Sequence, residues 1–122
     1  MVLEIKVKEE LNILGATLKA VIDANLKDAK VCRSAETLRG SLVIKESDAG
    51  VAVTLHFRDG EIEIRNGAIN SPTGYMEGRF ETLAAISSGN LNPIRALLTR
   101  NIKVRGNLLK LLKVTKIMIA KE

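Results

Sequence analysis

The feature that most constrains the fold is a run of alternating apolar residues between positions 42 and 64. Apolar side chains recur there at every second position, with breaks only at Ser47–Gly50 and at Asp59-Gly60. Such alternation is typical of half-buried β-strands. An Asp-Gly pair is a strong signal for a two-residue hairpin turn, because both central residues need a positive φ. The segment therefore predicts three consecutive antiparallel strands.

The two turns also predict how these strands pair. Counting outward from a two-residue turn at 59–60 and a four-residue loop at 47–50 places apolar residues opposite apolar residues on one face. On the other face it places His56 opposite Glu63. The predicted pairs are Arg58–Glu61, Phe57–Ile62, His56–Glu63, Leu55–Ile64, Ile44–Val53 and Leu42–Leu55.

Weaker patterns precede this region. Residues 2–8 alternate like a strand, although the assignment is ambiguous, and apolar residues over about 9–28 recur at helical spacing. Gly15 lies inside that predicted helix, where glycine costs about 1 kcal/mol relative to alanine. We interpret it as a point of close packing against a neighbouring element. Residues 29–40 give weak signals and are predicted to be a connection.

After the three strands, the pattern predicts two more strands and three helices. The fourth strand has Met76, Gly78 and Phe80 on its apolar side, and a short helix over about 82–87 follows it. Asn92-Pro93 is an N-cap followed by proline at the first helical position. A fifth strand carries Ile102 and Val104, and a last helix runs over about 108–120. The prediction is one α+β domain spanning residues 1–122, with a five-stranded, mostly antiparallel sheet covered by helices.

Composition excludes several classes of protein. The chain has 122 residues, enough to bury about two-thirds of its unfolded surface. Its 46% hydrophobic content argues against disorder, and the single Cys32 has no partner for a disulfide. No apolar run approaches the roughly 20 residues of a transmembrane helix. The N-terminus mixes charges with apolar residues and does not resemble a signal peptide, so we expect a soluble, cytoplasmic protein.

The net charge of +5 is unevenly distributed. Residues 1–94 carry 11 basic and 13 acidic side chains, whereas residues 95–122 carry eight basic side chains and one acidic. An anionic membrane surface, an acidic ligand head group and nucleic acid are all candidate partners for this basic segment. Nucleic acid is disfavoured, because single-strand binders usually add aromatic side chains for base stacking. The chain has three aromatics, and both Phe57 and Phe80 are predicted on the apolar face.

Catalytic groups are scarce. His56 lies on the polar face of its strand and is interpreted as a surface histidine paired with Glu63. We interpret Cys32 as a small buried hydrophobic residue, since a lone Cys and a lone His make no convincing zinc site. Glu61, Glu63, Glu77 and Glu81 are predicted on solvent-facing positions, and the chain contains no glycine-rich phosphate loop. The prediction is therefore a protein without catalytic residues, metal or cofactor.

The last predicted helix has an unusually wide apolar arc. Eight apolar residues between Leu108 and Ile119 leave only a stripe of Lys110, Lys113 and Lys116. A terminal helix buried on both flanks explains this arc. The alternative interpretation is a lid over an apolar cavity, or a helix that contacts a membrane with its lysines towards anionic head groups. An apolar core with almost no bulky rings is compatible with an incompletely filled interior.

The segment from Leu83 to Lys113, LAAISSGNLNPIRALLTRNIKVRGNLLKLLK, resembles the sterol carrier protein family, the type-two sterol-carrier domain. The matching positions are Gly89, Leu91, Pro93, Ala96, Ile102, Lys103, Val104, Gly106, Leu109 and Leu112. The order of predicted elements agrees as well, and the likeness covers about residues 38–118. Arg100 departs from the pattern, because the family usually has glycine before its basic strand. The scarcity of aromatic residues along the sheet is a second departure.

The resemblance implies a sheet and helices that enclose an apolar tunnel for a lipid tail. Predicted tunnel residues from the strands are Leu42, Ile44, Val53, Leu55, Phe57, Ile62, Ile64, Met76 and Phe80. Predicted tunnel residues from the helices are Leu83, Ile86, Leu98, Leu109 and Leu112. Candidates for a phosphate or carboxylate head group are Lys103, Arg105 and Lys110.

The predicted function is non-catalytic binding, with transfer as a further expectation, of a lipid such as an acyl chain, acyl-CoA, an isoprenoid or a sterol-like molecule. Transient contact with an anionic membrane surface belongs to this prediction. The alternative is an accessory module that docks on a protein partner through the Leu-rich basic C-terminal helix. An enzyme with unrecognised active residues is a third, less favoured interpretation.

Overall fold

A computed structural model describes residues 4–58 and 60–118, with the side chains of Glu4, Leu108, Leu109, Lys110 and Leu112 outside the description. The predicted residues 119–120 of the last helix therefore lie outside the described chain. The first six elements are β1 (Glu4–Val7), α1 (Ile13–Asn25), α2 (Ala29–Glu36), β2 (Gly40–Glu46), β3 (Ala52–Arg58) and β4 (Glu61–Asn66). They are followed by β5 (Gly74–Gly78), α3 (Phe80–Ser87), α4 (Pro93–Leu98), β6 (Ile102–Gly106) and α5 (Leu108–Met118).

The sheet corrects the predicted strand count. It has six strands in the order β1-β4-β3-β2-β5-β6, and it is mixed rather than mostly antiparallel. The extra strand β1 runs parallel to β4 and places Ile5 and Val7 beside Ile62 and Ile64. Because these four side chains extend one apolar face, the ambiguous N-terminal segment gains burial by joining the sheet edge. The second parallel pair is β2 with β5.

The predicted pairing of the central hairpins is confirmed. All six predicted pairs occur in the antiparallel ladders between β2 and β3 and between β3 and β4. In particular, Leu55 lies opposite both Leu42 and Ile64, and all three side chains are buried. The α+β class is likewise confirmed.

The helices before the sheet differ from the prediction in their bounds. The helix predicted over 9–28 begins only after Asn12, whose side chain accepts a hydrogen bond from the Gly15 amide at 2.8 Å. The predicted connection contains a second helix, α2. Its N-cap is Asp28, whose carboxylate accepts from the Lys30 amide at 2.8 Å, so a local capping signal accounts for this helix.

The predicted position of Phe80 on the fourth strand is wrong, because this residue begins α3. The turn between β2 and β3 holds it there. Asp48 in that turn accepts a hydrogen bond from the Phe80 amide at 3.1 Å. Glu46 in turn accepts from the amides of Asp48 and Ala49, which fixes the turn. The chain therefore leaves the sheet after Gly78 instead of continuing the strand.

The helices pack on one face of the sheet and enclose the core. Helix α1 lies over β3 and β4, and a Cβ atom added at Gly15 would lie 3.1 Å from Cγ1 of Val53. This confirms the close packing predicted at Gly15. Helix α5 packs against α1, α2 and β5. Among the described helices, none is both long and apolar enough to cross a membrane.

Two buried side chains fasten the C-terminal end of α5. The Asn25 amide donates to the carbonyl of Ile117 at 2.7 Å, and the Ser87 hydroxyl donates to the carbonyl of Met118 at 3.2 Å. Groups from α1 and α3 thereby fix the described end of α5 between the two helices.

Candidate functional site

The main apolar cavity lies between α4, α5 and the edge of the sheet formed by β5 and β6. Its volume is about 240 Å³. Seven of its eight lining residues are apolar, and Thr115 supplies the one polar side chain among them. The lining residues are Met76, Pro93, Ile94, Leu97, Ile102, Val104, Leu111 and Thr115.

The short helix α4 creates this cavity. Asn92 caps the helix by accepting a hydrogen bond from the Ile94 amide at 2.8 Å, and Pro93 occupies the first turn, as predicted. Only Ala96 of this helix is buried. The rest of α4 does not pack tightly on the sheet. Ile94 and Leu97 therefore line the cavity with one side and are exposed to solvent on the other.

Strand β6 supplies the floor of the cavity. It pairs with β5 so that Val104 lies opposite Met76 and Ile102 lies opposite Gly78. A Cβ atom at Gly78 would lie 3.0 Å from Cγ2 of Ile102, so the glycine allows Ile102 to lie directly over β5. The alternating apolar residues of this strand thereby face the helices.

A second, smaller cavity lies deeper in the core. It has a volume of about 40 Å³ and is bounded by α1, α3, β2 and β5. Its lining residues are Leu14, Thr17, Leu18, Ile44, Met76, Phe80, Leu83, Ala84, Ile86, Ser87 and Met118. Met76 lines both cavities, so its side chain lies between them.

The residues predicted to line a tunnel fall into separate groups. Of the predicted tunnel residues, only Met76 lines the larger cavity. Five of them line the smaller cavity: Met76, Ile44, Phe80, Leu83 and Ile86. Leu42 and Phe57 border a void of only about 10 Å³. Four more are fully buried in the core beneath α1: Val53, Leu55, Ile62 and Ile64.

The other three of the five helical predictions are Leu98, Leu109 and Leu112. Leu98 is 78% exposed and does not line the 240 Å³ cavity; it borders a separate surface groove of about 680 Å³ on the outer side of α4. The side chains of Leu109 and Leu112 lie outside the described residues. Sequence reasoning missed the other seven lining residues of the larger cavity: Ile102, Val104, Leu111, Pro93, Ile94, Leu97 and Thr115. The alternation in the fifth strand was the signal that could have indicated the first two.

Two of the three predicted head-group residues, Lys103 and Arg105, lie away from the cavity. Lys103 and Arg105 flank Val104 on β6, and successive strand residues point to opposite faces. Both basic side chains are therefore on the sheet face opposite the helices. There the Arg105 guanidinium lies 4.5 Å from the ring centroid of Tyr75, whose hydroxyl donates to Glu77. The Lys110 side chain lies outside the described residues.

The same outer face holds His56 and Glu63, which are cross-strand neighbours as predicted. Glu63 is only 3% exposed, so its predicted solvent-facing position is wrong. Its carboxylate lies 3.3 Å from Nζ of Lys8 and 3.8 Å from Nη2 of Arg58. Burial acts to raise the pKa of Glu63, but the hydrogen bond and charge of Lys8, with Arg65 and Arg58, hold it below its ordinary value.

The pKa shifts of these groups do not favour general acid catalysis. The pKa of His56 is lowered by burial, which outweighs the opposing charge of Glu63, and the charges of Arg58 and Arg65 lower it further. The hydrogen bond from Tyr75 lowers the pKa of Glu77. Lowered carboxyl pKa values do not suit a general acid, which must hold a proton near neutral pH. Within the described residues, no cluster of three or more His, Cys, Asp or Glu side chains could hold a metal ion.

Four of the eight residues of the wide apolar arc of α5 have described side chains, and these four are buried. Its described apolar residues Leu111, Val114, Ile117 and Met118 are each at most 5% exposed. This placement agrees with a terminal helix buried on both flanks. It leaves the docking alternative without an exposed apolar face among the described side chains of α5.

The sequence between residues 18 and 118 matches the SCP-2 sterol transfer family. The chain belongs to this family. The match covers every element from the middle of α1 to the end of the described chain, including all lining residues of the larger cavity and all those of the smaller one except Leu14 and Thr17. No curated protein sequence matches this SCP-2 family chain significantly.

Solved structures share the fold of this SCP-2 family member. The sterol carrier protein domain 2 of Helicoverpa armigera is 20% identical with a TM-score of 0.69, and the match covers 90% of this chain and 91% of that one. Sterol carrier protein 2 of Yarrowia lipolytica, in its apo form, is 15% identical with a TM-score of 0.66, covering 87% of each chain. At these identities the likeness establishes the fold alone.

The SCP-2 fold also matches part of a larger enzyme. The inverting sec-alkylsulfatase Pisa1 from Pseudomonas sp. is 19% identical to this chain with a TM-score of 0.65. The match covers 74% of this chain and 14% of that one. The present chain thus corresponds to a small part of the sulfatase.

Proposed function

We propose that this chain is a single lipid-binding domain that holds the apolar chain of a lipid, without catalysis, in the cavity between α4, β6 and α5. The observation that carries the proposal is the lining of that cavity, with seven apolar side chains and one hydroxyl. Membership of the SCP-2 sterol transfer family supports the same function. Acyl chains, isoprenoids and sterol-like lipids are the ligand classes to compare.

The cavity volume favours a flexible chain over a rigid ring system. Pockets that hold whole drug-sized ligands are usually about 300–1,000 Å³, whereas this cavity has about 240 Å³. A segment of an acyl or isoprenoid chain fits such a volume, and its burial contributes about 0.8 kcal/mol for each methylene removed from water. Since Ile94 and Leu97 reach the surface, a polar head group can remain in water while the chain is buried.

Met76 determines how far a chain can extend. Its side chain lies between the larger cavity and the 40 Å³ cavity beneath α3. Methionine is unbranched and flexible, so a change of rotamer can open a continuous apolar path. The residues predicted from the sequence around the smaller cavity, such as Leu83 and Ile86, then become the walls for the end of the chain.

Native mass spectrometry of the protein mixed with stearic acid tests the proposal. We expect a one-to-one adduct with the wild-type chain and its loss in Val104→Phe, whose larger side chain fills the cavity. The matched control is Val7→Phe. Val7 is also a half-buried valine on the helix-facing side of an edge strand, but it lies on β1 at the opposite edge.

The comparison separates binding in this cavity from other binding. An adduct in both wild type and Val7→Phe, but not in Val104→Phe, supports the proposal, provided that circular dichroism shows all three chains folded. An adduct that persists in Val104→Phe contradicts the proposal. So does a wild-type chain that binds none of stearic acid, an isoprenoid alcohol and a sterol.

A further inference from the structure

Helix α4 carries the main exposed apolar surface among the described side chains. Four large apolar side chains are exposed among the described residues. Three of them lie on this six-residue helix: Ile94 (52%), Leu97 (39%) and Leu98 (78%). Exposed apolar residues scattered singly are ordinary, whereas a contiguous group indicates a contact surface. The fourth, Ile13, lies alone at the start of α1.

The charge around α4 is entirely basic in the sequence. Arg95 lies within the helix and Arg100 just after it, and both side chains are exposed. No Asp or Glu occurs between Glu81 and Glu122. An apolar strip bordered by arginines complements a surface that has apolar chains below negative head groups.

The exposed strip is also the outer side of the cavity wall. Ile94 and Leu97 line the 240 Å³ cavity and are exposed to the exterior at the same time. A partner that contacts α4 therefore lies one side chain away from the proposed ligand.

We infer that α4 docks this protein on the surface of an anionic phospholipid bilayer, with Leu98, Ile94 and Leu97 among the acyl chains and Arg95 and Arg100 at the head groups. The inference deepens the proposed function and rests on it, because the cavity wall becomes the place where a lipid leaves or rejoins the membrane. The sequence analysis left membrane contact by the last helix, α5, as one alternative. The structure favours α4, since the described apolar side chains of α5 are buried.

Vesicle co-sedimentation tests the inference. The full chain is mixed with vesicles of phosphatidylcholine that contain phosphatidylserine, and with vesicles of phosphatidylcholine alone. We expect Leu98→Gln to weaken binding to the anionic vesicles about tenfold, because a leucine no longer enters the acyl region. The matched control Ile13→Gln changes another exposed apolar residue (67%, against 78% for Leu98) at the start of α1, and is expected to bind like wild type.

The charge contribution needs its own pair of variants. Arg95→Gln is expected to weaken binding to anionic vesicles about fivefold, with a smaller loss at high salt. Lys30→Gln, an exposed lysine on α2, is the control and is expected to have no effect. All four substitutions replace exposed side chains, so each variant is expected to fold.

Three results overturn the inference: no binding of wild type to either vesicle, equal losses in Leu98→Gln and Ile13→Gln, or self-association of wild type that Leu98→Gln abolishes. The last result assigns α4 to a second copy of the chain. Failure of the proposed function is a different result, namely a wild-type chain that binds vesicles but forms no lipid adduct in native mass spectrometry.

Discussion

Gly89 and Arg100 occupy the same backbone position at the ends of two successive helices. Each follows the last residue of its helix by two positions and has a positive φ, 83° at Gly89 and 62° at Arg100. At both sites the next amide reaches back into the last turn, from Asn90 to the Ala85 carbonyl and from Asn101 to the Ala96 carbonyl. This is the Schellman arrangement, which normally places glycine at the left-handed position.

The arginine at this position predicts a stabilising substitution. A left-handed backbone costs an L-residue about 1–2 kcal/mol, and glycine avoids that cost while losing more chain entropy. We therefore expect Arg100→Gly to raise the free energy of unfolding by about 1 kcal/mol in urea denaturation. Gly89→Ala is the control and is expected to lower it by a similar amount. An unchanged or lower stability of Arg100→Gly contradicts this account of the turn.

Met76 gives a prediction about chain length. Met76→Val shortens the side chain between the two cavities, and we expect the preferred fatty acid to become longer by a few carbons in a competition series by native mass spectrometry. Removing part of a buried side chain is expected to cost about 1–2 kcal/mol of stability. Adding Ala84→Met, which fills the smaller cavity, is expected to restore the wild-type preference. An unchanged preference in Met76→Val contradicts the proposed extension.

His56 predicts a pH dependence of stability. Because its pKa is lowered from 6.5 in the folded chain, the unfolded chain binds the proton more readily, and protonation favours unfolding. The contribution of His56 to the free energy of unfolding is therefore fully present above pH 6.5, and it is lost as the pH falls from 6.5 through the lower pKa of the folded chain. We expect His56→Gln to give a flatter curve in this window in urea denaturation at several pH values. Parallel curves for the two chains contradict the assignment, since the lowered pKa of Glu63 acts only below its ordinary value of 4.5.

Asn25 predicts how firmly α5 is held. Its side chain is 4% exposed and satisfies the carbonyl of Ile117. Asn25→Ala leaves that carbonyl without this donor and opens a small void, so we expect a loss of about 2–3 kcal/mol in thermal or urea unfolding. Asn70→Ala, at an exposed position, is expected to change stability by less than about 0.5 kcal/mol. Equal effects of the two substitutions contradict the role of Asn25.

The parts of the fold that depend on local signals could be predicted. Period-two alternation and two short turns determine the ladder between β2, β3 and β4, so Leu55 was placed opposite Ile64 from the sequence. The parallel pairs could not be derived this way. The contact of Ile5 with Ile62 joins segments far apart in the chain, and no turn sets its register. Helix α2 had a local signal in Asp28, but its apolar pattern was short.

The candidate site was harder to predict than the fold. Inward-facing strand residues could be identified from periodicity, but periodicity does not show which of them a helix covers. Val53 and Ile62 are covered by α1 and belong to the solid core, whereas Val104 lies beneath the short α4 and borders a cavity. The same limit applies to α5, because its apolar pattern does not show that the described residues Leu111, Val114, Ile117 and Met118 are buried against several elements.

The most direct test of the central claim is methyl NMR of the protein with a spin-labelled stearic acid, which broadens signals of methyl groups near the bound chain. We predict strong broadening of the signals of Ile94, Ile102 and Val104, which line the cavity. The signals of Ile62 and Ile64, in the core beneath α1, are expected to stay unchanged. Equal broadening of both groups, or no broadening at any ratio of lipid to protein, contradicts lipid binding in this cavity.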